Sequence, residues 1–160
     1  NDEAHQLQII QKIRQYQPEI VICNALVDRH PDHGRSSKLV SDASFLSGLR
    51  KIETSFNGEA QLAWRPKYVF HYIQDRYAEP DFIFDITSVF DRKVESIKAY
   101  GTQFHNPNPG IDEPQTYIST PAYFDTLISR HKMFGKRIGV EYGEGFITEK
   151  RIGIKTFGFE

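Results

Sequence analysis

The sequence predicts an α/β domain with a Rossmann-like, mostly parallel sheet and flanking helices, spanning 1–160 as a single unit. Three observations carry this reading. Short apolar runs rich in β-branched or aromatic residues occur at 20–24, 68–73 and 82–86. Helical patterns alternate with them, which is the order of a parallel sheet built from crossovers. No glycine fingerprint for a dinucleotide follows any of the runs, so the nucleotide-binding variety of the fold is disfavoured.

The elements follow in order. Leu7, Ile10 and Ile13 recur at steps of three, with Ile9 and Tyr16 widening the stripe, and Pro18 ends this first helix. The run 20–24 is continuous and apolar, the pattern of a strand buried on both faces. A polar stretch, 27–35, leads into a second helix through Leu39, Val40, Ala43, Leu46 and Leu49. Asn57-Gly58 marks a turn. Strands are expected at 68–73 and 82–86, then a helix over 89–100 with Thr87 or Ser88 as its cap and Asp91 completing a capping box. Two prolines and a glycine make 106–110 a loop. Thr120-Pro121 starts a last helix, expected to stop at Gly135. The C-terminal stretch has no assigned element.

Composition limits the partners. Twenty Lys and Arg balance 21 Asp and Glu, so the chain lacks the basic field that duplex nucleic acid or an anionic membrane attracts. No run approaches the ~20 apolar residues of a membrane span, and no signal-peptide pattern opens the chain. Cys23 is the single cysteine and lies in an apolar run, so a buried thiol and no internal disulfide are expected. These features read as cytoplasmic.

Chemistry concentrates after the first strand. The loop carries two histidines, two aspartates and two arginines between Asp28 and Arg35, and in open α/β sheets ligands gather beyond the strand ends. Neutral imidazole is a good zinc ligand. Asp32 can favour a charged imidazole nearby, so His30 is a candidate general acid or donor to an oxyanion. The bland alternative is a solvated loop with Asp32 as a helix cap. Two histidines three apart do not make the three protein ligands of catalytic zinc. His71, inside a strand pattern, reads as a satisfied core or cleft residue.

The stretch from Asp28 to Arg35 resembles the second motif of the LmbE/PIG-L family of zinc-dependent N-deacetylases. Residues 45–52 (Phe-Leu-Ser-Gly-Leu-Arg-Lys-Ile), 63–66 (Ala-Trp-Arg-Pro) and 142–146 (Tyr-Gly-Glu-Gly-Phe) extend the likeness. They resemble the branch that deacetylates N-acetylglucosaminyl malate in bacillithiol synthesis. The resemblance implies a Zn2+ cofactor with His33 as a metal ligand. It makes His30 the group that stabilises the tetrahedral intermediate or protonates the leaving amine, and Asp32 the residue that sets its charge. Arg65 and Tyr123 fall at the substrate cleft, and Glu144 takes no definite role. Arg35 reads equally well as half of a helix-surface ion pair. The implied reaction is hydrolysis of the acetamide of an N-acetylglucosamine conjugate, in a trimer or hexamer.

One departure stands out. The family's first motif, Ala-His-Pro-Asp-Asp, has no match, and the chain opens in the helix before the 20–24 strand. The resemblance therefore implies that the first βα units of the fold are missing from these residues. It also implies that this chain alone binds zinc weakly or not at all and is inactive. The rival readings are a sugar-binding or assembly module that has lost the metal site, and a different metal hydrolase such as a phosphoesterase.

Overall fold

A computed structural model describes residues 2–101, 103–104, 116–154 and 156. They divide into two compact units, Asn1–Phe82 with Phe146–Glu160, and Ile83–Gly145. The expected loop at 106–110 lies outside the described residues.

In the first unit, α1 (Glu3–Tyr16) starts at an Asp2 cap that accepts from the His5 amide and ends where Gln17 turns left-handed, just before Pro18. Its inward face buries Ile10 and Ile13. β1 (Ile20–Cys23) pairs in parallel with β4 (Tyr68–Tyr72), Ile20 opposite Tyr68 and Cys23 opposite His71. Between them come α2 (Pro31–Leu46) and the hairpin β2 (Ser55–Phe56) and β3 (Glu59–Ala60). Asn57 and Gly58 both have positive φ, 51° and 83°, as tight hairpin turns between twisted strands require.

The mostly parallel sheet is corrected. The four strands run in the order β1-β4-β6-β5, where β5 is Phe82–Asp85 and β6 is Gly143–Thr148. β6 pairs antiparallel with β4, Phe70 opposite Thr148. Of the pairs with a defined register in this sheet, one is parallel and one antiparallel. β6 also runs opposite to β5: the Asp81 amide donates to Phe146 within the first unit, and the Ile86 amide to Tyr142 within the second. The cause lies in the C-terminal stretch that the sequence pattern left unassigned. Its strand returns antiparallel beside β4, where alternating crossovers would have put a parallel neighbour.

β1 is likewise not buried on both faces. Val21 and Cys23 turn inward, while Ile20 and Ile22 remain about half exposed on the other face of an edge strand. Cys23 is buried as expected. Burial, reinforced by the charge of Glu149, pushes its thiol pKa up to about 12, which makes it inert.

The second unit holds α3 (Phe90–Lys98) and α4 (Pro121–Ile138). The expected capping box is not formed: Thr87–Val89 is a 3-10 turn, and the Asp85 carboxylate accepts from the Thr87 amide at 2.9 Å. Thr120 caps α4 as read. That helix runs through Gly135 to a left-handed Gly139. Gly135 answers to packing instead, since a Cβ there would come within 2.7 Å of the Glu141 backbone.

One buried cation organises the first unit. The Arg14 guanidinium donates to the carbonyls of Ser47, Leu49 and Ile52 and to the Thr54 hydroxyl, at 2.7–3.0 Å. α1 thereby fixes the chain that leaves α2. Hydrogen bonds from a charged group are worth about 1.5–3 kcal/mol each, and orphaned buried acceptors cost about as much. We therefore expect Arg14→Ala to lower the unfolding free energy by about 3 kcal/mol or more, measured by urea denaturation. Arg14→Lys should recover only part of this, because an ammonium lacks the planar fork.

Candidate functional site

The site forms where β1 and β4 end side by side. Asn24 and the Ala25 amide both donate to the Gln74 side-chain oxygen at 3.1 Å, stitching the two following loops together. Asp28 continues the seam. One of its oxygens accepts from the amides of Asp75 and Arg76, at 3.1 and 2.8 Å. The other accepts from Nδ1 of His33. Its side chain has no exposed surface, while His33 is one-third exposed.

Burial by itself would raise the Asp28 carboxyl. The Arg76 amide, the His33 imidazole and the amides of Arg29 and Asp75 outweigh it and hold the group below the usual carboxylate range. A depressed folded-state value favours the native state above the ordinary carboxylate pKa, and that contribution disappears as pH falls through the folded value. Asp28→Asn should therefore destabilise the fold at neutral pH. It should also flatten the acid limb of a stability-versus-pH curve, so that variant and parent converge at the acid end. An acid limb as steep as the parent's would contradict this.

His30 sits at the N-cap of α2, with Nδ1 accepting from the Asp32 amide at 3.2 Å. Its Nδ1 lies 3.8 Å from the Asp32 carboxylate and its ring centroid 5.4 Å from that of His33. Asp32 also accepts from Arg35 at 3.1 Å, the surface ion pair that was one reading of Arg35. His30, Asp32 and His33 thus share one helix start.

Arg65 lies elsewhere in the first unit. Arg65 donates to the Phe45 carbonyl at 3.1 Å and lies over the Phe45 ring. Gly48 permits this, since a Cβ there would fall 2.5 Å from Arg65 Nε. Phe45 is twelve residues along α2 from His33, about 18 Å at ~1.5 Å per residue. Tyr123 belongs to the second unit, in the first turn of α4, where its ring stacks on Phe104 and meets Tyr117 edge-on. Glu144 pairs with Lys93 in that unit.

Two groups were missed. Asp28 stood in the polar loop, five residues before His33, without a pattern to mark it as the buried partner. The second is a buried cluster around His71, whose side chain has no exposed surface. Its Nδ1 lies 2.9 Å from the Ser37 hydroxyl and the Asn24 carbonyl and 3.3 Å from Cys23 Sγ, and its Nε2 meets Glu149 at 2.9 Å. Ser37 follows His33 by one helical turn, so the cluster lies directly behind the loop. This fits the reading of His71 as a satisfied core residue, with Glu149 as the unforeseen partner.

The Zn2+ expectation is corrected. Among the described residues no group of three or more His, Cys, Asp or Glu side chains is placed to hold a metal ion. Most donors of the loop are engaged otherwise, and the free Nε2 of His33 alone is one ligand where catalytic zinc takes three. Nδ1 of His30 caps α2, Asp32 meets Arg35, and Asp28 binds His33 and two amides. The residues present do not fit the metal. A cavity of about 910 Å3 exists in the first unit, and none of the five candidate residues lines it.

No protein-family model matches the sequence. The chain is similar in structure to the conserved protein TT1542 from Thermus thermophilus, with TM-score 0.79 and 24% identity over 100% of this chain and 64% of that one. It is similar to GalB, the 4-carboxy-2-hydroxymuconate hydratase of Pseudomonas putida KT2440, with TM-score 0.72 and 18% identity over 99% and 63%. It is also similar to N,N'-diacetylchitobiose deacetylase from Pyrococcus horikoshii in complex with its inhibitor MPG, with TM-score 0.68 and 21% identity over 92% and 51%. The chain therefore spans about half to two thirds of the length of these structures. The deacetylase-like fold implied by the family resemblance is supported at the level of fold, on a scaffold that a hydratase shares.

Proposed function

We propose that these residues form a non-catalytic sugar-binding module on a deacetylase-like fold. The ligand is an N-acetylglucosamine conjugate, with N-acetylglucosaminyl malate the first candidate, held at the start of α2. The supporting observation is the state of the loop 28–35: Nδ1 of His30, Nδ1 of His33 and the carboxylates of Asp28 and Asp32 are tied to neighbours, and no metal-holding group gathers around them among the described residues. What the loop still presents is polar and partly exposed: the His30 and His33 rings and the Asp32 carboxylate. A sugar's hydroxyl and amide groups, each a donor or an acceptor, suit such a surface. Arg65 is proposed to bind a more distant part of the conjugate. Calorimetry on the chain should give saturable binding of N-acetylglucosaminyl malate that chelator leaves unchanged, with no acetate released. Acetate release above the uncatalysed rate, or no binding, would overturn the module.

A second reading is hydrolysis of the acetamide to acetate and a free amine, and one observation favours it. Asp28 fixes the imidazole proton of His33 on Nδ1, so the neutral ring offers Nε2 as a lone pair. Nε2 has no hydrogen-bond partner among the described residues. A carboxylate-oriented imidazole of this kind is a general base in waiting. His30 and Asp32 would then serve the leaving amine.

A cytoplasmic location is proposed from the single, buried thiol. Among the described residues no helix is long and apolar enough to cross a membrane. A homo-oligomer is proposed from the apolar face on which Ile20 and Ile22 of β1 remain about half exposed. If that face carries assembly, Ile22→Lys should shift the protein to a smaller species in light scattering, and an unchanged mass would count against it.

A further inference from the structure

The protons of the His71 cluster can be counted from its hydrogen bonds, all of which lie within the first unit. Nδ1 lies 2.9 Å from the carbonyl oxygen of Asn24, just after β1, and Nε2 lies 2.9 Å from Glu149 Oε1, just after β6. A carbonyl has no proton to give. Between a carboxylate and an imidazole, the proton goes to the imidazole, the stronger base. The Ser37 hydroxyl of α2, 2.9 Å from Nδ1, can donate or accept, so it adapts to what the carbonyl requires. A neutral ring carries one N–H and would leave one of the two acceptors facing a lone pair. The imidazolium serves both. The neighbouring charges are accounted for. The Cys23 thiol of β1, 3.3 Å from Nδ1, is pushed up to about 12 by burial and by Glu149 and stays protonated. Lys150 lies over the Tyr68 ring, and Arg151 pairs with Asp81 at 3.2 Å.

We propose that His71 is an imidazolium clamped between the Asn24 carbonyl and the Glu149 carboxylate, and that the clamp is a proton-operated latch on the chain leaving β6. The ring has no exposed surface, but the Glu149 side chain is 37% exposed and gives the proton a way out. Once Nε2 has lost its proton to solvent, its lone pair faces a carboxylate oxygen at 2.9 Å with nothing to share. The two groups then separate, and the segment from Glu149 onward loses its tie to the buried ring. The latch also reaches the base of the candidate site. Ser37 is one turn along α2 from His33, and the Asn24 side chain joins the loop after β4 through Gln74. It operates whatever the loop at 28–35 binds.

The test is a pH titration of the chain by long-range nitrogen–proton NMR, paired with amide hydrogen exchange at Thr148 and Lys150. At about pH 6 both ring nitrogens of His71 should show protonated shifts. As pH rises and Nε2 loses its proton, protection of the two amides, corrected for intrinsic rates, should fall about tenfold per pH unit, the slope for one proton. Glu149→Gln offers Nε2 an amide N–H, which a neutral ring accepts. Its His71 should carry a proton on Nδ1 alone at the same pH, with protection level across the titration. Should the variant not fold, the ring shifts and exchange slope of the parent still decide. A neutral His71 in the parent at about pH 6, protection that ignores pH, or the same slope in Glu149→Gln would overturn the proposal.

Discussion

A single buried carboxylate holds the candidate site together. Asp28 lies in the loop after β1, takes two amides from the loop after β4 and holds a histidine of α2. Three segments that are distant in sequence converge on one side chain, which is fully removed from solvent. A carboxylate so placed is tolerated only because donors surround it, and those donors are what fix the geometry. The loop carrying His30, Asp32 and His33 is therefore positioned from below, by Asp28 and by the His71 cluster, rather than by contacts among its own exposed side chains. Arg14 does the same at the other end of α2, where it orders the chain leading to the hairpin.

Much of this was legible in the sequence, for local reasons. Apolar runs and helical stripes placed α1, α2 and the strands β1, β4 and β5, because periodicity reports burial directly, while α3 and α4 were placed by the capping residues expected at their starts. Asn57-Gly58 announced its turn through the positive φ that both residues take up. What stayed hidden was long-range. Nothing local says that 143–148 returns antiparallel beside β4. Nor does a run of four apolar residues reveal whether one face or both will be covered. Gly135 read as a helix stop, yet its missing side chain serves the approach of the Glu141 backbone, a contact no pattern displays.

The same division holds at the site. The cluster of His30, Asp32 and His33 could be read because the three are near neighbours in sequence. The partner of His33 could not, since Asp28 differs from other loop aspartates only in burial and in amides from a segment nearly fifty residues away. The zinc expectation came with the family resemblance, whereas the described donors are turned to a helix cap, an ion pair and backbone amides. A fold shared by a deacetylase and a hydratase does not fix the reaction; the side chains at the strand ends decide it.

The orientation of the His33 ring is the point on which both functional readings turn. Long-range nitrogen–proton NMR on the imidazole side chains reads it directly. The proton of the neutral ring should reside on Nδ1, held by Asp28, with Nε2 showing the shift of an unprotonated nitrogen. A neutral His33 carrying its proton on Nε2 would contradict the dyad and, with it, the way the site is assembled.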